Sequence, residues 1–303
     1  MRGLAEYIMR GRREATLAVA IAAAIPLLFW ISAAAVALVV LRRGLSDALP
    51  ILAWGLLPAV VWAAVGDLTP LLVIGGSAGL AAVLRQGNDW VRVLLLAVPL
   101  GAVYALALLM ALSEPLQALA SGFREMLPEL LEQMGVQLDE ANRAALLSRL
   151  DALMIPILGG VLGAMHALMA VLGLMIGRYW QAGLYNPGGF RQEFHQVRLS
   201  PLVSIGLLAL VILAPQWPSL AMLSPVASVP LLLAGFALVH GVVGARNLGK
   251  GWLIGTYVLF VLFLRFAYPL IMFLAFVDSL FDFRSRLRRR LSPRDDDDPN
   301  SQG

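Results

Sequence analysis

Charged side chains in this chain are confined to short gaps between long apolar runs. The uncharged runs cover residues 15–41, 48–66, 68–84, 93–113, 152–177, 199–245 and 251–264, and the last continues past one arginine to residue 277. About 18 to 20 consecutive apolar residues are enough to cross a bilayer as a helix. Because the hydrocarbon region holds no water, the backbone must pair its own polar groups, which at these lengths means helices. The pattern predicts an all-α, polytopic transmembrane helical bundle.

The number of membrane segments depends on two runs that contain proline. Residues 15–41 contain Pro26 and residues 251–277 contain Pro269, so each run is either one long helix or two short helices in a tight hairpin. Two hairpins give ten segments, and two single spans give eight. We therefore expect about 8–10 membrane segments, some of them short hairpin helices, within a single transmembrane domain over residues 1–283.

The basic residues set the expected orientation. Nineteen of the 23 fall in the gaps 2–13, 42–43, 85–92, 178–198, 246–250 and 284–294. Lysine and arginine accumulate in the cytoplasmic loops of membrane proteins. The hairpin topology puts all six gaps on one side, whereas single spans turn most of them outward. We therefore favour the hairpins and expect a multi-pass protein of the bacterial inner membrane with cytoplasmic N- and C-termini.

The polar interval 114–151 is acidic and has a helical pattern of its own. Its first half carries apolar residues at helical spacing, namely Leu116, Leu119, Phe123, Met126, Leu130 and Met134. Gly135 interrupts this pattern, and Asp139 is suited to cap a second helix. The segment is predicted to be a periplasmic amphipathic helical pair, either a surface-packed connector or a lid over a cavity.

A cytoplasmic elbow loop is expected over residues 178–200. Residues 186–189 read Asn-Pro-Gly-Gly, which is a turn signal, and a short amphipathic helix follows. Five polar side chains of this loop are candidates for ligand binding or ion pairing, namely Tyr185, Asn186, Arg191, Glu193 and Arg198. Glu193 is placed to pair with either neighbouring arginine. The loop is either an interfacial elbow between two spans or a docking or gating loop.

Arg265 is a further candidate, because it lies within an apolar run. A charge at membrane depth costs a few kcal/mol. Pro269, four residues on, cannot donate to the Arg265 carbonyl. Three interpretations stay open: a position at the outer end of a hairpin among lipid headgroups, a structural ion pair, or an anion site.

The end of the chain combines paired carboxylates with a basic cluster. Asp278 and Asp282 are four residues apart on one predicted helix face, and Arg286 is four beyond Asp282 and placed to pair with it. Arginines just inside a membrane attract anionic lipid. Residues 284–303 read as a basic-then-acidic, disordered cytoplasmic tail that follows a stop-transfer anchor.

Composition and the absence of known motifs limit the kinds of site that the sequence predicts. Hydrophobic residues make up 60% of the chain and charged residues 14%, against roughly 25% charged in soluble domains. There is no cysteine, no phosphate-binding loop and no HExxH motif, and His166, His195 and His240 are isolated along the sequence. We expect no catalytic residue, no metal site, no cofactor and no nucleic-acid partner. An intramembrane lipid enzyme would need clustered Asp, His or Ser within the spans, where only scattered examples occur.

Several segments together resemble a known family. They are residues 26–32 (Pro-Leu-Leu-Phe-Trp-Ile-Ser), 39–44 (Val-Val-Leu-Arg-Arg-Gly), the 186–198 loop, and 265–269 (Arg-Phe-Ala-Tyr-Pro) leading to 278–284. Over most of residues 12–290 the chain resembles the YybS-like family, uncharacterised bacterial integral membrane proteins bearing a domain of unknown function. That family is distantly similar to the substrate-binding subunits of energy-coupling-factor vitamin transporters. The resemblance implies a helical bundle with a cavity and a docking face of small residues on the first helices, although this chain is longer than a six-helix binding subunit.

The expected function is that of a non-enzymatic integral inner-membrane protein that binds a small molecule or belongs to a transport assembly. Its partners would be the lipid bilayer and either other membrane proteins or a coupling ATPase. The alternative is a structural protein that organises cell-envelope partners through the elbow loop and the basic tail. The sequence does not name the ligand.

Overall fold

The computed structural model describes residues 2–136 and 138–286, all of whose regular elements are helices. In chain order they are α1 (Arg2–Arg10), α2 (Arg12–Ala24), α3 (Phe29–Arg43), α4 (Leu45–Gly55), α5 (Leu57–Ala64), α6 (Thr69–Gly87), α7 (Trp90–Ala111), α8 (Ser113–Gln133), α9 (Glu140–Tyr185), α10 (Gly189–Gln196), α11 (Pro201–Leu213), α12 (Leu223–Ala245), α13 (Lys250–Leu262) and α14 (Leu264–Phe281), with a 3-10 turn at Ala214–Gln216. The all-α prediction is confirmed.

Four helices of the described chain are long and apolar enough to cross a membrane, namely α7, α9, α12 and α14. Two bent pairs also qualify when each is taken as one broken span: α4 with α5, bent by 49°, and α10 with residues 201–216, bent by 72°. Four to six candidate spans make this a multi-pass membrane protein. Helices α2, α3, α6 and α13 occupy the remaining apolar runs of the sequence.

The first apolar run folds as the predicted hairpin. Helices α2 and α3 are separated by residues 25–28, where Leu27 has a φ of +66°, and the two helices pack against each other. The Ser32 hydroxyl of α3 donates to the Val19 carbonyl of α2 at 2.8 Å. At 13 and 15 residues the helices are each about 20 Å long, shorter than the roughly 30 Å hydrocarbon layer.

The last apolar run behaves differently. Only Phe263 separates α13 from α14, with φ −115° and ψ 35°. A connection of one residue is shorter than the two to five residues that usually join antiparallel helices. This run is therefore an interrupted helix, and the hairpin that the sequence analysis favours is observed only in the first run.

The chain forms two compact units. Unit 1 comprises residues 1–190 and 206–230, and unit 2 comprises residues 191–205 and 231–303. Only residues 191–205 and 231–286 of unit 2 are described in full. The predicted single domain over residues 1–283 stays a prediction.

The core of unit 1 is built around α3. Residues 32–41 of this helix are all buried, as expected for a helix that is apolar on every side. Helix α3 packs against α6 and α9, and α7 packs along α9. Glycines permit these close approaches: a Cβ added to Gly163 of α9 would meet the Gly101 carbonyl oxygen of α7, and one added to Gly177 would lie 2.7 Å from the Ala34 carbonyl oxygen of α3.

Ser77 and His166, two buried polar side chains of unit 1, are hydrogen-bonded to neighbouring groups, whereas the buried Trp180 Nε1 has no hydrogen-bond partner among the described residues. The Ser77 hydroxyl of α6 donates to the Ala170 carbonyl of α9 at 2.7 Å. His166 places Nδ1 2.7 Å from the Leu162 carbonyl oxygen and Nε2 3.2 Å from the Thr69 hydroxyl of α6. The contact with Thr69 thus ties His166 of α9 to the neighbouring helix α6.

Residues 114–151 form the expected helical pair. Helix α8 ends at Gln133, Gly135 has a φ of +68°, and the Asp139 side chain caps α9 by accepting from the Asn142 backbone N–H at 2.7 Å. Helix α9 then continues without interruption for 46 residues to Tyr185, about 69 Å. The membrane span and the polar segment thus share one helix. The periplasmic location stays a prediction.

Candidate functional site

A buried ion pair lies at the end of α14 in unit 2. The Arg284 guanidinium contacts the Asp278 carboxylate at 2.8 Å, and the two side chains are only 6% and 2% exposed. Arg284 also donates to the carbonyls of His195 and Val197, at 2.8 and 2.7 Å. These carbonyls lie where α10 ends, so one arginine satisfies both a buried carboxylate and backbone acceptors of another element.

Arg198 performs the reciprocal role for α14. Its guanidinium donates to the Asp278 and Ser279 carbonyls at 3.1 and 2.9 Å, and it contacts the Asp282 carboxylate at 2.9 Å. The last carbonyls of a helix lack intrahelical donors, and a cation there also complements the helix dipole. Arg198 and Arg284 therefore fasten the α10–α11 connection to the end of α14.

Asp282 terminates α14 in a left-handed conformation, with φ 48° and ψ 62°. Its carboxylate accepts hydrogen bonds from the Ser285 hydroxyl and from the Ser285 backbone N–H. Burial alone would raise the pKa of this carboxyl, but the Ser285 hydrogen bonds and the charges of Arg198 and Arg284 outweigh burial, and the pKa lies below its ordinary value. Asp282 is therefore ionised at neutral pH.

A polar pocket of about 600 Å³ opens beside these ion pairs. Its polar lining consists of Gln196, Arg198, Ser200, Asp282, Arg284 and Ser285. All six belong to unit 2. Ligand pockets are typically about 300–1,000 Å³ with a few convergent polar groups. The two lining guanidinium groups pair with Asp282 and with the buried Asp278, so an anionic group would bind through their remaining N–H donors.

Two histidines meet in unit 2 although they are far apart in sequence. The His195 and His240 ring centroids are 6.3 Å apart, and His240 Nε2 lies 2.9 Å from the Tyr257 hydroxyl of α13. Phe194 and Phe236 border this cluster through edge and stacked ring contacts. The described residues contain no group of three or more His, Cys, Asp or Glu side chains placed to hold a metal ion. The cluster therefore packs α12 against α10 and α13.

The structure brings together two of the predicted site residues, Arg198 and Asp278, through a hydrogen bond. In unit 1, Tyr185 lies under the Arg42 guanidinium, 4.2 Å from carbon to ring centre, and Asn186 follows the end of α9. Arg191 and Glu193 lie on α10, where Arg191 is close to Gly244 of α12. The assignment of a role to any of these residues stays a prediction.

The central arginine of the site falls in the predicted tail. Arg284 belongs to a helical turn over residues 283–286 and is 5% exposed, so the ordered chain extends past residue 283. The expected Asp282–Arg286 pair is replaced by the Asp282–Arg198 pair. The rest of the tail, residues 287–303, lies outside the described residues.

Arg265 is exposed in the first turn of α14, and its guanidinium carbon lies 5.9 Å from the Phe266 ring centre. This exposure argues against a buried structural ion pair and does not distinguish the other two interpretations. We expect Arg265→Leu to change the free energy of unfolding in detergent by less than about 0.5 kcal/mol, because no buried partner is left behind. Thermal unfolding of the purified variant checks this, and a loss of several degrees would instead indicate a buried partner.

Neither a family model, nor a curated protein sequence, nor a solved structure matches the chain. The resemblance to the YybS-like family accordingly stays a prediction.

Proposed function

We propose that this chain is a non-enzymatic, multi-pass protein of the bacterial inner membrane that binds a small anionic molecule in the unit 2 pocket, as a component of a transport assembly. The observation that carries the proposal is the pocket of about 600 Å³ lined by Arg198 and Arg284. Its volume suits a metabolite-sized group, and guanidinium forks recognise carboxylate and phosphate.

The rigidity of the lining supports binding. The two guanidinium groups are held by backbone carbonyls and by Asp278 and Asp282, so they need no further ordering when a ligand arrives. Side chains that are already fixed lose little conformational entropy on binding. The proposed orientation, with both chain termini in the cytoplasm, places this pocket at the inner face of the membrane.

The proposal predicts that an anion is retained by the wild-type protein and lost from Arg198→Gln. Loss of a charge-assisted hydrogen bond is worth about 1.5–3 kcal/mol, so the retained amount should fall about tenfold or more. The protein is extracted from native membranes without detergent, and the bound small molecules are identified by mass spectrometry. Arg124→Gln is the matched control, because Arg124 also pairs with an aspartate, Asp151, at 2.9 Å but lies on α8. Equal anion content in all three preparations would contradict the proposal.

A scaffolding role is the second candidate, and one observation favours it. Helices α6 and α7 border an apolar groove of about 470 Å³ in unit 1. A Cβ added to Gly75 or Gly79 of α6 would meet nothing within 4 Å, so this surface is open. Small residues on exposed membrane helices permit close packing of another helix. Copurification of cell-envelope proteins without any bound anion would support this role over the first.

A further inference from the structure

Exposed apolar side chains lie close in sequence to the residues Pro201 and Asp282 that line the polar pocket of unit 2. Leu202 and Ile205 on α11 are 81% and 50% exposed. Phe281 and Phe283, the two neighbours of Asp282, are 49% and 40% exposed. A charged pocket whose lining residues have exposed apolar neighbours in the chain is suited to a molecule that has both a charged and an apolar part.

The pocket also lies at the end of a candidate membrane span. Helix α14 ends at Phe281, and the next residue, Asp282, already lines the pocket. The interfacial layer begins where a span leaves the hydrocarbon, and lipid phosphates occupy that layer. A side chain at this depth meets lipid headgroups at high local concentration.

We propose that this pocket holds the phosphate-bearing headgroup of a membrane phospholipid, whose acyl chains lie along Leu202 and Ile205. The inference rests on the proposed function, since it names the class of anion that occupies the pocket. Arginine guanidinium groups bind phosphate through two parallel hydrogen bonds. Gln196 and Ser200 add an amide and a hydroxyl donor to the lining.

The arginines retain the capacity to bind a further anion. In the contacts that the described residues make, Arg284 uses three of its five N–H donors, on the two backbone carbonyls and on Asp278. Arg198 likewise uses three, on two carbonyls and on Asp282. Two donors on each guanidinium are left for a phosphate.

Asp282 is the one lining group that would repel a phosphate. Its charge is balanced by Arg198 and by the two hydrogen bonds from Ser285. Arg284 is likewise balanced by the buried Asp278, so the net positive charge beside the pocket comes from Arg286, which is exposed and follows Ser285 in the chain. A single phosphodiester group matches this charge.

A charge change at the rim tests the inference without disturbing the ion pairs. Gln196 is exposed, so Gln196→Glu and Gln196→Lys should both fold. Affinity for phosphatidylglycerol should fall about fivefold in Gln196→Glu and rise by a similar factor in Gln196→Lys, because the new charge lies within a Debye length of the phosphate. Gln192→Glu is the matched control: it is exposed on the same helix but does not line the pocket, and it should have a smaller effect.

The probes distinguish the two sources of phosphate. Purified protein is mixed separately with phosphatidylglycerol, phosphatidylcholine, glycerol phosphate or inorganic phosphate. Binding is measured by native mass spectrometry and by the shift in melting temperature. The inference expects retention of phosphatidylglycerol above phosphatidylcholine and weak binding of the two soluble anions. Glycerol phosphate binding as tightly as the lipid would overturn the lipid assignment and leave the proposed function standing. Phosphatidylglycerol affinity that is unchanged in both Gln196 variants would overturn the pocket as the headgroup site.

Discussion

Replacing Arg284 by methionine is expected to lower the free energy of unfolding by about 3–5 kcal/mol. The change would leave the Asp278 carboxylate, 2% exposed, without its cation, and it would remove the donors to the His195 and Val197 carbonyls. A carboxylate near a helix C-terminus is already disfavoured by the helix dipole. Denaturant or thermal unfolding in detergent measures the loss.

Arg124→Met is the matched control for this prediction. Arg124 forms an ion pair of nearly the same length with Asp151, but its side chain is 57% exposed. Exposed pairs contribute about 0–1 kcal/mol. The double variant Arg284→Met with Asp278→Asn should recover part of the loss, because it also removes the buried charge. Equal losses in Arg284→Met and Arg124→Met would show that the Arg284 pair is not buried in the folded protein.

Replacing Gly163 by valine is expected to lower the free energy of unfolding by about 3 kcal/mol or to prevent folding. A Cβ at this position would meet the Gly101 carbonyl oxygen and would lie 2.8 Å from the Ala105 side chain. Backbone atoms of α7 cannot yield as a flexible side chain can, so α7 and α9 would have to separate. The yield of monodisperse protein and its melting temperature provide the measurement.

Gly79→Val is the corresponding control. Gly79 belongs to a glycine pair of the same i, i+4 spacing, but nothing lies within 4 Å of a Cβ added there. This variant should keep the wild-type melting temperature within a few degrees. If Gly79→Val proved as harmful as Gly163→Val, the α6 surface would be covered by another molecule in the folded protein.

Local signals in the sequence predict local structure well. The break at Gly135 and the cap at Asp139 are both observed, because a glycine with positive φ and an aspartate N-cap act within a few residues. The division of the first apolar run near Pro26 is also observed, since proline disfavours a continuous helix.

The site itself could be predicted only in part. The sequence indicates Asp278 and Arg198 as candidates, but it does not indicate Arg284 as the partner of Asp278, because the two are six residues apart and the i, i+4 rule does not pair them. The left-handed turn at Asp282 ends the helix and returns the chain toward Asp278, where the Phe283 N–H also donates to its carboxylate at 3.1 Å. Arg198 reaches the same helix end from 80 residues away. Such contacts are made by tertiary folding, which no local pattern encodes.

Glycine spacing also fails to predict which helix surfaces are covered in the folded protein. The pairs that begin at Gly75 and Gly159 have identical spacing, yet the first is open and the second is closely covered by α7. The motif indicates a helix surface that permits close approach. Whether another helix covers that surface depends on the tertiary fold. The exposure of Arg265 likewise depends on where the helix is interrupted, one residue before α14 begins.

The position of α3 in unit 1 has a consequence for biosynthesis. Ten consecutive residues of α3 are buried, and two of the helices that cover it, α6 and α9, are made later. About 140 residues must be added between the end of α3 and the end of α9. At ribosomal speeds of roughly 5–20 residues per second this takes on the order of 10 s. During that interval the face of α3 that packs against α9 is uncovered, and nascent chains that stop before α9 lack the surface that completes the core.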